Sequence, residues 1–308
     1  MRFYTVLFAF VFGLSSLAQE KVTLRLTPHV GDEFVVSIDQ RQVINQTVMG
    51  MEQIINQDQT LRMVYECTGN ADGVIEMDAT IDGVKMETSG ITGEMSYDSD
   101  NPEAEPEGEA LVYSAMIGSV LKAQFDKYGA LNELTGIDAI IDKVAAAFGF
   151  VEGSDYEMFK EEMANTISDE TFKKDFGAAM LQFPKEELGV GDTWTQTSSF
   201  TAKILFNVET TYTVEEITKD SIILMAEGVL STTSENSDPI SVNGMELLYD
   251  LNGTQGGTIQ VDRKTGWVTN SKIIQEVSGE IEMLPNDQLP DGMTWPMSIT
   301  TVMTMTTE

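Results

Sequence analysis

Val30-Gly31-Asp32-Glu33-Phe34 returns 160 residues later as Val190-Gly191-Asp192-Thr193-Trp194, and each copy opens a run that alternates apolar and polar residues in the manner of a β-strand. Glycine adopts positive φ without steric cost, and aspartate bonds its own backbone two residues on. The pair is therefore turn chemistry that marks a strand start, not a reactive site. Outward from the first copy, Val22, Leu24 and Leu26 share one strand face, and Phe34, Val36 and Ile38 another. Leu61, Met63, Tyr65 and the single cysteine, Cys67, share a further face; the run reverses through Gly69-Asn70-Ala71-Asp72-Gly73 into Val74–Ala79, a hairpin signal. Outward from the second copy, Tyr212–Ile217 reverses at Thr218-Lys219-Asp220 into Ser221–Met225. A third landmark, Asp126-Lys127-Tyr128-Gly129, is echoed by Asp262-Arg263-Lys264-Thr265-Gly266 with one residue inserted. The shared order predicts two similar β-halves, residues 19–136 and 185–308.

Between them, residues 137–184 change period. Ile140, Ile141, Val144 and Phe148 predict a helix from about Asp138. Ser154-Asp155-Tyr156-Glu157 has the form of a capping box, followed by Tyr156, Phe159, Met163 and Ile167 at helical spacing. Asp169 and Glu170 open a third helix with Phe172, Phe176, Met180 and Phe183 on one stripe, which Pro184 stops. Three short amphipathic helices must each bury a stripe, and a sheet face is the nearest large apolar surface. The expected fold is α+β and mainly β: a curved antiparallel sheet or open barrel made of two similar halves, with a helical insert covering one face.

Such an arrangement either packs solid or leaves an apolar space between layers. Phe148, Phe159, Met163, Phe172, Phe176 and Met180 are then core plugs or the lining of a ligand cavity. The 18 methionines favour a lining, since the flexible thioether adapts to varied hydrophobes. Met49-Gly50-Met51 and Met303-Thr304-Met305 place thioethers in pairs, but without Met-His clustering they read as strand faces rather than a copper site. Asp98, Asp100 and Asn101 open an acidic stretch that has the oxygen spacing of a calcium loop without its sixth-position glycine, so Ca²⁺ is the one metal the sequence suggests.

With 50 acidic and 18 basic residues, the net charge of −32 repels phosphate backbones, which excludes nucleic acid as a partner. Arg2, an apolar run from Phe3 to Leu14 and Ser16-Leu17-Ala18 form a secretory leader cleaved near Ala18, residues 1–18. No other segment is long enough to span a bilayer as a helix. The expected location is secreted, periplasmic or on the outer cell surface. Catalysis finds no support: His29 is the only histidine, and no nucleophile elbow, zinc helix, phosphate loop or dinucleotide fingerprint is present.

The leader, the Val-Gly-Asp-aromatic strand start after Phe183-Pro184, and the loop Tyr97-Asp98-Ser99-Asp100-Asn101-Pro102 together resemble an uncharacterised family of secreted Bacteroidota proteins carrying a domain of unknown function. At the level of fold, the order of strands and helices resembles the open β-barrel with a helical lid of periplasmic lipoprotein carriers. That likeness implies a non-enzymatic protein that holds a hydrophobic or lipidic ligand between sheet and helices, without a cofactor. A cell-surface structural or interaction protein with a solid core and no ligand is the competing reading.

Overall fold

A computed structural model describes residues 20–308 except 92, 102–105, 167–168, 202–203, 233–238, 243–244 and 287–288; the expected leader lies outside the described residues. The first half builds β1 (Glu33–Val48), β2 (Met51–Ala71), β3 (Val74–Gly90), β4 (Gly93–Asp98), α1 (Glu109–Met116), β5 (Val120–Asp126) and β6 (Leu131–Thr135). Helices α2 (Ile137–Ala147), α3 (Ser154–Thr166) and α4 (Asp169–Ala179) follow. The second half runs β7 (Thr193–Thr201), β8 (Leu205–Ile217), β9 (Ser221–Thr232), β10 (Ile240–Val242), β11 (Met245–Asp262), β12 (Val268–Met283) and β13 (Met293–Thr307). One antiparallel sheet contains them all, in the order β6-β5-β3-β2-β1-β13-β12-β11-β9-β8-β7, with β4 beside β3 and β10 beside β11.

The two halves repeat down to single hydrogen bonds. Gly31 N–H donates to the Cys67 carbonyl (2.8 Å) and Cys67 N–H to the Asp32 carbonyl (2.9 Å); Gly191 and Asp192 make the same exchange with Val214 (2.7 and 3.0 Å). Asp32 Oδ2 accepts from the backbone of His29, and Asp192 Oδ2 from that of Gly189, both at 2.8 Å. In each half the partner strand carries a bulge just beyond, at Cys67/Gly69 and Val214/Glu216. The Asp-led hairpins match as well: Asp126 Oδ1 accepts from Tyr128 and Ala130, and Asp262 Oδ1 from Lys264 and Thr265. All these turns lie at one end of the sheet, the turn end. A copy that the sequence pattern hid precedes β13, where Gly292 (φ 66) leads into Met293-Thr294-Trp295.

Strand pairing does not close this sheet, since β6 and β7 are its edges. Laid flat, a path of eleven strands would hold those edges about 48 Å apart. Yet both touch α4. Asp175 of α4 accepts the backbone N–H of Thr201 on β7 (2.8 Å), and Lys173 donates to the carbonyl of Asn132 on β6. The chain then continues along the same seam, with Phe183 N–H donating to the Tyr128 carbonyl (2.8 Å) and the Trp194 indole to the Gln182 carbonyl (2.9 Å). The sheet therefore curls until a helix fills the gap. At the opposite junction between the halves, the filler is a strand, β13, bonded to β1 and β12.

The inner face of the curl carries the core. Ile137, Ile140, Ile141 and Val144 of α2 pack with Val36, Met63, Tyr65 and Phe125 in the largest cluster, as the helical stripe requires. The alternating Val22, Leu24 and Leu26 bridge that cluster and a second one on β8, β9 and β11, sealing the turn end. Glu109–Met116 adds a helix whose eight residues show no strong stripe. One local reading needs correction: the Ser154 hydroxyl bonds the Asp155 side chain (3.4 Å) instead of capping Glu157, whose N–H goes to the Gly153 carbonyl.

Two carboxyls hold pH-dependent stability. The backbone N–H of His29 holds the Asp32 carboxyl below its ordinary value of 3.8, and the Tyr156 hydroxyl, then Lys160, does so for Asp142, tying α2 to α3. A depressed folded value means that the unfolded chain binds more protons, so this stability is complete above pH 3.8 and is lost as pH falls through the depressed values. The expected result is a melting temperature that drops with acid below that point, more gently in Asp142→Asn, as read by calorimetry across pH.

Candidate functional site

Charge is sorted completely between the two faces of the sheet. On β1 the inward set is Phe34, Val36, Ile38, Gln40, Gln42, Ile44, Gln46 and Val48, while Asp39 and Arg41 point outward. Carried through the register, the inward positions of β1, β2, β3, β5, β7, β8, β9, β11, β12 and β13 contain no Asp, Glu, Lys, Arg or His. A chain with 50 acids thus keeps an interior whose polar groups are neutral, mainly glutamine and threonine.

Those neutral groups are aligned. Gln57, Gln42, Thr301, Gln275, Gln255, Gly228, Thr210 and Gln196 face one another in a single transverse row from β2 to β7. Gln42 donates to Thr301 Oγ1 (3.1 Å), Gln275 to Gln255 Oε1 (2.9 Å) and Gln255 to Thr210 Oγ1 (2.6 Å). The last bond skips β9. It can do so because Gly228 lies beneath, where a Cβ would sit 3.1 Å from Gln255 Cγ. At the seam, Gln196 donates to the Met180 carbonyl (3.1 Å) and accepts from Gln182 N–H (3.0 Å), so the row ends by anchoring the segment after α4. Thr210, Thr301 and Gln196 are buried, so these bonds satisfy groups that would otherwise cost about 1–3 kcal/mol each.

On the β8–β9 side the row is pressed between two apolar clusters, one with Tyr212 and Leu224, the other with Val208 and Leu230. Burial there pushes the Tyr212 hydroxyl up to about 12. On the β2–β1–β13 side the packing stops. Ile44, its cross-strand partner Ile55, and Met303 are only half-buried and join none of the four apolar clusters among the described residues. Gln40, Gln42, Gln57 and Gln59 surround them, also half-buried. Beyond, Gln46 donates to Gln53 (2.8 Å) and accepts from the Trp295 indole (3.1 Å). This stretch sets apolar side chains and neutral donors and acceptors together, outside the packed clusters.

The residues expected to line a cavity sit elsewhere. Phe159, Met163, Phe172, Phe176 and Met180 pack against the largest cluster. Phe148 is 40% exposed and only tilts against Phe159 at 6.2 Å. Phe148 apart, these residues are partly buried against the core, whereas the half-buried stretch outside the clusters lies on strands. The acidic loop is also committed otherwise: both Asp100 oxygens take the Arg62 guanidinium at 3.0 Å, and Asp98 Oδ1 accepts the Asp100 N–H (2.9 Å). Asn101 closes the same turn through its N–H. Among the described residues no group of three or more His, Cys, Asp or Glu is placed to hold a metal ion. Cys67 is buried, which pushes its thiol up, away from reactivity.

Two grooves on the outer face, of about 480 and 430 Å³, share Asp58 and Glu87. Several of their charges are paired: Arg41 with Asp58 (2.8 Å) and Lys85 with Glu87 (3.1 Å), with Thr60 donating to Asp39 (2.6 Å). Such exposed pairs contribute little, and the uncharged inner face is the stronger candidate.

A model of a family of unknown function (DUF6263) matches residues 72–268, more than half of the chain. The match runs from the β2–β3 turn to the start of β12, leaving β1 and β13 outside it. No curated protein matches. Among solved structures, lipovitellin, studied for lipid–protein interactions, is similar at 10% identity and a TM-score of 0.48 over 91% of this chain and 25% of its own, so the chain spans about a quarter of that protein. An outer membrane channel from Pseudomonas putida F1 is similar at 8% identity and a TM-score of 0.25, over 92% of this chain and 97% of its own. At these scores the likenesses say nothing about function. No helix among the described residues is long and apolar enough to cross a membrane.

Proposed function

We propose that this chain, which belongs to the DUF6263 family of unknown function, is a non-enzymatic extracytoplasmic protein that holds an uncharged amphiphile against the inner face of its curled sheet. The observation that carries this reading is the half-buried stretch of Ile44, Ile55 and Met303 within an interior free of charge. The isoleucines and methionine suit an acyl chain, and the glutamine row suits an ester, amide or hydroxyl head. An ionised head would be buried without a counter-charge, at a cost of several kcal/mol. The pattern of residues 1–18 supports the location.

A fluorescent monoacylglycerol titrated into the purified protein tests the reading. Saturable binding is expected, with the fatty acid of the same chain length at least about tenfold weaker at pH 8, a difference of about 1.4 kcal/mol. Native mass spectrometry of protein from its own host supplies the second arm. No co-purifying lipid together with no monoacylglycerol binding would overturn the proposal in favour of a solid-core surface protein.

A further inference from the structure

The end of the sheet opposite the turn end carries a local contradiction. Two hairpin tips place a residue other than glycine at positive φ: Asp72 (φ 54) before Gly73 at the turn end, and Met49 (φ 52) before Gly50 at the far end. Aspartate is a favoured residue in that position, because its short side chain bonds nearby backbone. Methionine has no such compensation. Nor does it gain by packing, since Met49 is 67% exposed and Met51 61%. A residue that fits its turn poorly and touches little is the kind of local inconsistency that accompanies a functional surface.

The neighbouring tip adds to it. Ile91, between β3 and β4, is 62% exposed, and Gly90 beside it lies so close to β2 that a Cβ would sit 2.8 Å from the Ile54 carbonyl oxygen. Met245, which opens β11 at the same end, is exposed as well. We propose that this rim, led by Met49 and Met51 with Ile91, enters the surface of a zwitterionic lipid bilayer. Two projecting hairpin tips cannot furnish the roughly 800 Å² per partner of a stable protein interface. Separated, flexible apolar points do suit acyl chains, which demand no shape match. Charge selects among bilayers. Residues 43–56 and 87–94 contain no lysine or arginine, Glu52 and Glu94 flank the tips, and the chain carries −32 overall, so an anionic leaflet repels the rim.

This inference goes beyond the interior site and is tested on ligand-free protein with plain vesicles. An environment-sensitive fluorophore is attached in turn to Met49→Cys and, as control, Asp72→Cys; buried Cys67 is not labelled in the folded protein. Phosphatidylcholine vesicles are expected to shift the probe at position 49 to the blue and leave that at 72 unmoved, with the shift lost when half the lipid is phosphatidylglycerol. Met49→Asn with Met51→Thr is expected to lower vesicle partition about tenfold or more, since both apolar side chains that would enter the acyl region are lost. The same variant is expected to melt at an equal or higher temperature, because Asn-Gly suits the turn. No shift at position 49, an equal shift at both sites, unchanged partition in the variant, or a concentration-dependent dimer that the variant abolishes without any vesicle binding would each overturn the proposal.

Discussion

Gly257→Ala is expected to cost about 3 kcal/mol or more, whereas Gly256→Ala, one residue earlier on the same strand, leaves stability within about 0.5 kcal/mol. A Cβ at Gly257 would lie 1.9 Å from the Lys272 carbonyl oxygen and 2.9 Å from Ile273 Cα. Both are backbone atoms of β12, so no rotamer relieves the clash and the strands must separate. Gly253 and Gly279 press on the same pair of strands, with a Cβ at 2.2 Å from the Glu276 oxygen and at 1.9 Å from the Asp250 oxygen. Glycines that admit such close approach bend a sheet, and these three stand inward where the curl needs it. At Gly256 the nearest atom to a Cβ is 3.9 Å away, on the outer face. Chemical denaturation of the two variants separates the roles. Equal midpoints would show that the sheet tolerates widening at β11–β12 and that its curl is set elsewhere.

The parts of the fold that were legible in the sequence are those written in short-range chemistry. Gly31-Asp32 and Gly191-Asp192 announce strand starts because each aspartate accepts a backbone N–H only three residues before it, and the Asp126 and Asp262 hairpins announce themselves by Asx bonds to the residues that follow. The stripe on α2 shows because helical period is local. What stayed hidden is register. Gln42 and Gln196 stand in one row only because five strands, β13, β12, β11, β9 and β8, lie in that order between β1 and β7, and no spacing along the chain encodes that. Gln40, Gln42, Gln57 and Gln59 look like the polar half of ordinary alternation, although they occupy the inward half. One signal was available: every even position from Phe34 to Val48 lacks charge, while the odd positions hold Glu33, Asp39 and Arg41. The aromatic helices misled for a related reason, since Phe159 and Phe176 look alike as plug or lining until the partner surface is known. The ion pair of Arg62 with Asp100, 38 positions away, is likewise absent from any local pattern in the acidic loop.

Ile44→Trp is expected to reduce monoacylglycerol binding about 100-fold, a loss of about 2.7 kcal/mol, with little change in melting temperature. Ile44 faces Ile55 across β1 and β2, and both are half-buried and outside the apolar clusters of the described residues. A larger side chain there is expected to displace no buried core neighbour, so overpacking strain stays small. The indole would cover the patch formed by Ile55, Met303 and the surrounding amides, and so compete with an acyl chain for the same apolar surface. Val208→Trp supplies the contrast: Val208 is buried in the cluster of Phe206, Leu230, Leu251 and Val277, where added bulk has nowhere to go, and unfolding is expected. Fluorescence titration and thermal melting on both variants distinguish the cases. Unchanged binding in a folded Ile44→Trp protein would place the ligand away from the β2–β1–β13 stretch, and a large loss of stability there would mean that the stretch is packed after all.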